Sequence, residues 1–518
     1  MTDRRHGHVQ VAVIGSGFAG LAAAVQLKRQ GIESFTVYEK AGDLGGTWRD
    51  NTYPGAGCDI PSHLYSYAFA PYRDSRVRYP GQPQVLEYLR ACARDHGVER
   101  HVRYGTEITA ARYDDGRAQW SLHTADGRTH TADVVVSAVG QLHRPNVPAL
   151  PGAEDFEGTT FHTARWDHGH SLEGRSVAVV GTGSSAAQVV PAIAGRVRRL
   201  YVHQRTANWV LPKPDARFHP ALSLLLRTVP GAHRAYRSML FRRSEAVLLP
   251  ALRGNRLIGG LLRTMALRHL RAGVPDPELR ARLTPDFAVG CKRIVLSSDW
   301  YPTLTRDHVE VVTQPIARVT RKGIETTDGV HREVDTIVYA TGFRTTEFLA
   351  PMTVTGRDGR DLAEVWRGGA RAYLGIHVPD FPNLFLMYGP NTNLGHNSVI
   401  LTLEAQAVHI ARCVALLADR RAAGADGVLE ATQQALQAWQ GRVDEGSAHT
   451  VWAGSCTSWF KTGDGVLTNN WPFRTTLYQR LTARPDPAAF RRPPPAGGGS
   501  ASPAVLRHVP DQPTRTEL

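Results

Sequence analysis

A glycine pattern that occurs twice constrains this chain more than any other feature. In "VQVAVIGSGFAGLAAAVQLKRQG" a β-branched run, Val9 to Ile14, leads into Gly15, Gly17 and Gly20. An Ala/Leu-rich helix follows and ends at Gly31. Gly15 suits a tight turn, Gly17 lets the backbone approach a pyrophosphate, and Gly20 lets helix and strand pack closely. The phosphates would rest on the helix N-terminus, where free N–H groups and the helix dipole favour anions. The next strand, "SFTVYEK", ends at Glu39, whose carboxylate can accept from both ribose hydroxyls. The pattern returns in "GRSVAVVGTGSSAAQVVPAI" as Gly181, Gly183 and Ala186, ahead of the strand "RRLYVHQRTANW". There the acid is replaced by Gln204, Arg205 and Thr206. A carboxylate would repel a 2′-phosphate and an arginine attracts it, so this second site prefers NADPH to NADH.

The first site, with its acid, fits FAD. Two apolar strands ending in small residues, "ADVVVSAVGQL" and "VDTIVYATGF", suit the returns between two nucleotide domains. The expected fold class is α/β: two Rossmann-like dinucleotide-binding domains, for FAD and NADPH, with a helical insertion in the NADPH domain. The FAD domain takes residues 1–150 and 336–482, and the NADPH domain 151–214 and 289–335. The insertion is 215–288, and a Pro/Gly-rich disordered tail is 483–518. In the insertion, Leu257, Leu261 and Met265 share one helix side among several arginines. A cover over the substrate entrance, favouring a hydrophobic ligand, is preferred to membrane contact through 236–270.

Five scattered cysteines with no CxxC pair argue against a disulfide framework, a metal site or a dithiol redox centre, and for a reducing cytoplasm. No apolar run reaches transmembrane length, and the start of the chain lacks a signal peptide. The net charge of +14 comes from dispersed cations, almost all arginine, which speaks against a nucleic-acid partner.

A third stretch is more specific. "FEGTTFHTARWD" lies between the glycine motifs and has neither a strand nor a helix period. Its Phe156, Gly158, His162, Trp166 and Asp167 match the FxGxxxHxxxW(P/D) fingerprint of type I Baeyer–Villiger monooxygenases. The chain is also similar to that family in "GGTWRDNTYPGAGCD", through Gly46, Trp48, Tyr53, Pro54, Gly55 and Asp59. The resemblance spans about residues 8–480. It implies insertion of one oxygen atom of O2 beside the carbonyl of a ketone, with NADPH as reductant of the flavin. N-hydroxylation or S-oxidation by a related enzyme, and a redox sensor that has lost oxygenation, are the alternatives.

The resemblance also implies roles. In "VGCKRIVLSSDWYP", Arg293 is the active-site cation and Asp59 the carboxylate that pairs with it. Lys292 joins Arg205 and Thr206 at the 2′-phosphate. Gly46, Thr47 and Trp48 line the flavin site, with Trp48 as packing. A helix begins near Asn391 and aims its N-terminus at the flavin. Trp459 sits on a mobile loop that closes over NADP. His162 is a gating residue rather than a base. Many relatives carry Arg where this chain has Gly57, which bears on the surroundings of Asp59. The reaction asks for no metal: an always-charged guanidinium can stabilise the developing oxyanion.

Overall fold

The computed structural model describes residues 8–72, 77–214 and 217–491. Ten short strands build its two parallel sheets. They are Val11–Ile14 (β1), Phe35–Tyr38 (β2), Val102–Arg103 (β3), Val134–Ser137 (β4), Thr159–His162 (β5), Ser176–Val180 (β6), Arg199–His203 (β7), Val309–Val312 (β8), Thr336–Tyr339 (β9) and Leu384–Leu386 (β10). The first sheet runs β10–β4–β1–β2–β3 and the second β8–β7–β6–β9–β5. The central strands β1, β4 and β9 are buried along their whole length. A parallel strand covered on both faces must be apolar on both, which is why these runs do not alternate. The strand partners are parallel throughout, β4 and β2 flanking β1, and β9 and β7 flanking β6.

Helix α1, Phe18–Arg29, follows β1, and α2, Ser184–Ile193, follows β6. The insertion folds as helices, among them α3 (Pro220–Thr228), α4 (Ala232–Arg243) and α5 (Arg256–Gly273). The long helix α6, Val399–Ala422, packs on α1. By length and composition alone it is apolar enough to cross a membrane. Its apolar window is 61% buried inside the protein, as in a core helix.

Four expectations are corrected. The stretch around His162 is not structureless: β5 pairs in parallel with β9, in a register that sets His162 against Tyr339. A four-residue edge strand is too short to print a period of two. The tail begins later than 483, because Phe490 is buried and bridges Ala431; residues 492–518 lie outside the described set. Leu257, Leu261 and Met265 do not face inward. They are 86%, 57% and 43% exposed, while Leu262, Ala266 and Leu270 are buried on the other side of α5. Finally, Cys291 and Cys456 form a disulfide across 165 residues, with Cα atoms 6.4 Å apart. Spacing carries no trace of such a pair; only the fold brings the two together.

Candidate functional site

The two βα turns are built alike. Gly15 has φ +104° and Gly181 φ +118°. A Cβ on either would lie 2.6 Å from the Ala138 carbonyl oxygen or 2.5 Å from that of Ala340, the residues that follow β4 and β9. Gly20 packs so closely that its Cβ would meet the Gly15 oxygen at 1.9 Å, and Ala186 is fully buried. Gly17 and Gly183 are the N-caps of α1 and α2. Neither helix has a capping side-chain bond or an acid in its first turn. Their first N–H groups are thus left for an anion, and nothing lies within 4 Å of where a Gly183 side chain would stand. This cradle fits the phosphates of two dinucleotides.

Glu39 is buried at the end of β2. Its carboxylate accepts from Ser16 N (3.1 Å), Ser16 Oγ (2.7 Å), Ala41 N (3.0 Å) and Arg49 Nη1 (2.8 Å). The acid therefore also braces the first glycine turn, a task that sequence reading missed along with Ser16 and Arg49. Gly46 (φ +53°) lies against Gly17, its Cβ position 3.3 Å from the Gly17 Cα. Thr47 Oγ1 donates to Leu142 O (3.4 Å), and the half-buried Trp48 donates through Nε1 to Tyr65 Oη (3.1 Å).

Asp59 and Arg293 meet as expected. Arg293 Nη2 donates to both Asp59 oxygens at 2.8 Å, and Nε donates to Oδ2 at 3.2 Å. The carboxylate raises the pKa of the guanidinium above its usual value, so Arg293 stays cationic. The side chain is 36% exposed, which keeps the cation accessible from outside the pair. The segment carrying Asp59 is itself fastened to the second nucleotide unit. Tyr53 Oη donates to Gln188 Oε1 on α2 (2.8 Å), and Gln188 Nε2 donates to Gly57 O (2.9 Å). A Cβ at Gly57 would come within 3.4 Å of Pro80 O, ordinary contact, so the backbone at that position tolerates a side chain.

A second cationic group stands beside this one. Lys292 Nζ donates to Thr206 Oγ1 (2.6 Å), and burial with the nearby Arg205 charge lowers its pKa. Two cations held close without a carboxylate in hydrogen-bond contact, at the end of β7, make a seat for an anion. Trp459 is half-buried against Phe460, and its carbonyl accepts from Thr345 Oγ1 (2.6 Å). The disulfide joins Cys291, next to Lys292, to Cys456 on the Trp459 loop.

The fingerprint residues form one packed unit. Phe156 lies over Gly158, whose Cβ would meet the Phe156 ring and Asp335 O, both at 2.5 Å. Trp166 sits edge-on to Phe161 at 4.9 Å, and Asp167 Oδ1 accepts from Gly169 N (2.9 Å). His162 is buried. Its Nδ1 accepts from Ala164 N (3.1 Å), its Nε2 lies without a hydrogen-bond partner, and burial pushes its pKa down to about 4. It is thus neutral at pH 7. The segment also reaches the first unit: His168 Nε2 bonds Thr52 Oγ1 (2.7 Å), and Arg165 lies 3.9 Å from Asp50.

Asn391 corrects an expectation. The helix begins eight residues later, at Val399 with Ser398 as N-cap. Asn391 instead has φ +56° and donates through N to Thr468 O (2.7 Å) and through Nδ2 to Leu467 O (3.1 Å). A helical-looking apolar run hid the loop ahead of it. Among the described residues, His377, His409 and Cys413 bring potential ligand atoms within 4.8 Å of one another. The histidines are already satisfied: His409 Nδ1 donates to Thr482 O (3.0 Å), leaving its Nε2 to accept from His377 Nε2 (2.9 Å).

A family model described as flavin-binding monooxygenase-like matches residues 8–230. The chain is 43% identical over 502 residues to a protein of Streptomyces coelicolor named Baeyer-Villiger monooxygenase, across 96% of each chain. In structure it is similar to OTEMO, solved in complex with FAD and NADP, with TM-score 0.81 and 26% identity over 92% of this chain and 98% of that one. It is also similar to cyclohexanone monooxygenase from Rhodococcus sp. Phi1 bound to NADP+, with TM-score 0.80 and 28% identity over 92% and 96%.

Proposed function

This chain belongs to the Baeyer–Villiger monooxygenases, and from that premise we propose that it inserts oxygen beside the carbonyl of a hydrophobic, cyclic ketone to give a lactone. It is an NADPH-dependent flavoprotein enzyme with FAD and NADP as cofactors. The observation that carries the reading of the site is the Asp59–Arg293 pair beside Lys292, Arg205 and Thr206.

Bound FAD supplies the redox chemistry and the activation of O2. The chain's own part is positioning and charge. The amides of the first turns of α1 and α2 hold the pyrophosphates. Arg205, Thr206 and Lys292 hold the 2′-phosphate. Arg293 stabilises negative charge on the attacking oxygen and on the ketone oxygen as the carbonyl becomes tetrahedral. Asp59 balances the guanidinium and fixes its direction by the two-pronged contact. One oxygen atom of O2 enters the product and the other leaves as water. The division into an FAD domain (1–150, 336–482) and an NADPH domain (151–214, 289–335) is part of this proposal. So is closure of the Trp459 loop over NADP. NADPH dependence supports a cytoplasmic location.

Incubation of the holoenzyme with NADPH, 18O2 and panels of ketones, amines and sulfides tests the reading. Ester or lactone carrying one labelled oxygen is the expected product. N- or S-oxides as the sole products would overturn it.

A further inference from the structure

The insertion carries a surface that oxygenation does not use. The expectation that the cations are dispersed is corrected here: residues 220–273 hold ten arginines, no lysine and one acid, Glu245, so this short stretch contributes +9 of the chain's +14. Nine of the ten arginines are exposed. The exception, Arg237, is buried and donates to His63 O (2.7 Å) and Ser66 O (2.8 Å). Glu245 is turned inward to His396 (2.9 Å) and offers no surface counter-charge.

The same stretch holds most of the molecule's exposed large apolar side chains. Of the twelve such residues among those described, seven lie here: Leu224, Leu225 and Val229 at α3, Met239 on α4, and Leu257, Leu261 and Met265 on α5. On α5 the three recur every fourth residue and form one stripe, with Arg268 in line and Arg271 beside it, while Arg256 and Arg263 are exposed further round the helix. The opposite stripe, Leu262, Ala266 and Leu270, anchors the helix in the protein. Asn255 caps its N-terminus by accepting from Leu257 N and Ile258 N, both 3.1 Å. The helix is therefore complete and held, and its outer face is apolar with a basic border.

We propose that the outer face of α5, with the apolar tips of α3 and α4, docks the enzyme on an anionic phospholipid surface. Leucine and methionine enter the headgroup–acyl boundary while the flanking arginines meet lipid phosphates. Charge complementarity selects this occupant. A second copy of the chain would bring +9 against +9 across the contact. Nucleic acid would match the charge and leave the leucines against water. The proposal rests on the surface alone and stands apart from the identity of the ketone.

Flotation of the FAD-loaded protein with vesicles tests it. Vesicles of phosphatidylcholine are compared with vesicles containing about one-third phosphatidylglycerol, at about 0.1 M and about 0.5 M salt. Binding is expected only with the anionic lipid and is expected to weaken at high salt. R268Q/R271Q lowers the partition coefficient about five-fold per arginine removed. L257Q/L261Q abolishes the salt-resistant remainder and leaves NADPH oxidation in solution unchanged, since both side chains are exposed and lie outside the cofactor and Arg293 sites. Equal partition onto neutral and anionic vesicles, or undiminished binding by L257Q/L261Q, overturns the proposal. So does sedimentation showing a dimer that L257Q/L261Q dissolves, which would assign the face to a second copy.

Discussion

Arg293 holds Asp59 through three hydrogen bonds across 234 residues of chain, joining the segment after the second glycine motif to the segment after the first. The pair is a charge clamp between the two nucleotide units. Arg293→Ala is expected to retain FAD and lose oxygenation by about 10²–10³-fold, the size of a lost oxyanion donor. Asp59→Asn keeps the shape and removes the counter-charge; loss of product at unchanged flavin content is expected. Flavin absorbance with product analysis checks both. Because Arg293 is about one-third exposed, the stability cost of Asp59→Asn stays near 1 kcal/mol, read as a small fall in Tm.

Lys292, which donates to Thr206 Oγ1 at 2.6 Å, and the nearby Arg205 are the proposed seat for the 2′-phosphate. A hydrogen bond to a charged group contributes about 1.5–3 kcal/mol. Arg205→Ala is expected to raise KM for NADPH about 10–100-fold and leave KM for NADH nearly unchanged. Steady-state kinetics with both nucleotides separates this from general damage, which would raise both.

The Cys291–Cys456 bridge ties the Lys292–Arg293 segment to the Trp459 loop. A loop closed across 165 residues removes about 5 kcal/mol of unfolded-chain entropy. Cys456→Ser, or added reductant, is expected to lower Tm and raise KM for NADPH. Thermal unfolding with and without reductant should show the shift in the native protein and not in the variant.

His162 and His203 are buried neutral, each with its pKa pushed down to about 4 by burial. Between the ordinary histidine value near 6.5 and about 4, the unfolded chain binds more protons than the folded one. Stability is therefore fully present above pH 6.5 and falls as pH drops through this window, by roughly 3 kcal/mol per histidine at its lower end. Chemical denaturation at a series of pH values reads the slope, and His203→Phe should flatten part of it. His162→Ala is expected to leave the flavin bound and to raise NADPH consumption per product formed.

Gly158 has no room for a side chain, with Asp335 O and the Phe156 ring both at 2.5 Å from its Cβ position. Gly158→Ala is expected to destabilise by about 1–3 kcal/mol, as overpacking does. The change displaces Phe156 and loosens the edge of the second sheet. Denaturant melts of holoenzyme give the magnitude, and an unaltered midpoint would show that the segment yields.

Local pattern carried much of the fold and the site. Gly15, Gly20 and Gly181 were legible because a backbone that turns sharply under a carbonyl excludes a Cβ, and that exclusion is written in residue type. Asp59 and Arg293 were legible through the family's motifs, and the fold then set them 2.8 Å apart. What escaped was non-local or locally ambiguous. Edge strand β5 was too short to print a period. The apolar run around residue 399 did not say where its helix starts, so Asn391 was misplaced. The outer stripe of α5 was legible as apolar, but not as outward-facing.

The sequence by itself determined two dinucleotide turns and, through the motifs of residues 156–167 and 46–59, the family membership, because each depends on residue type at short fixed spacing. Only the tertiary structure decided that Cys291 meets Cys456, that Glu39 braces Ser16, that Tyr53 and Gln188 bind the two units together, and that Leu257 and Leu261 face out. Those relations join residues far apart in the chain or depend on which face a neighbour covers. A one-dimensional pattern holds neither kind of information until packing has chosen the partners.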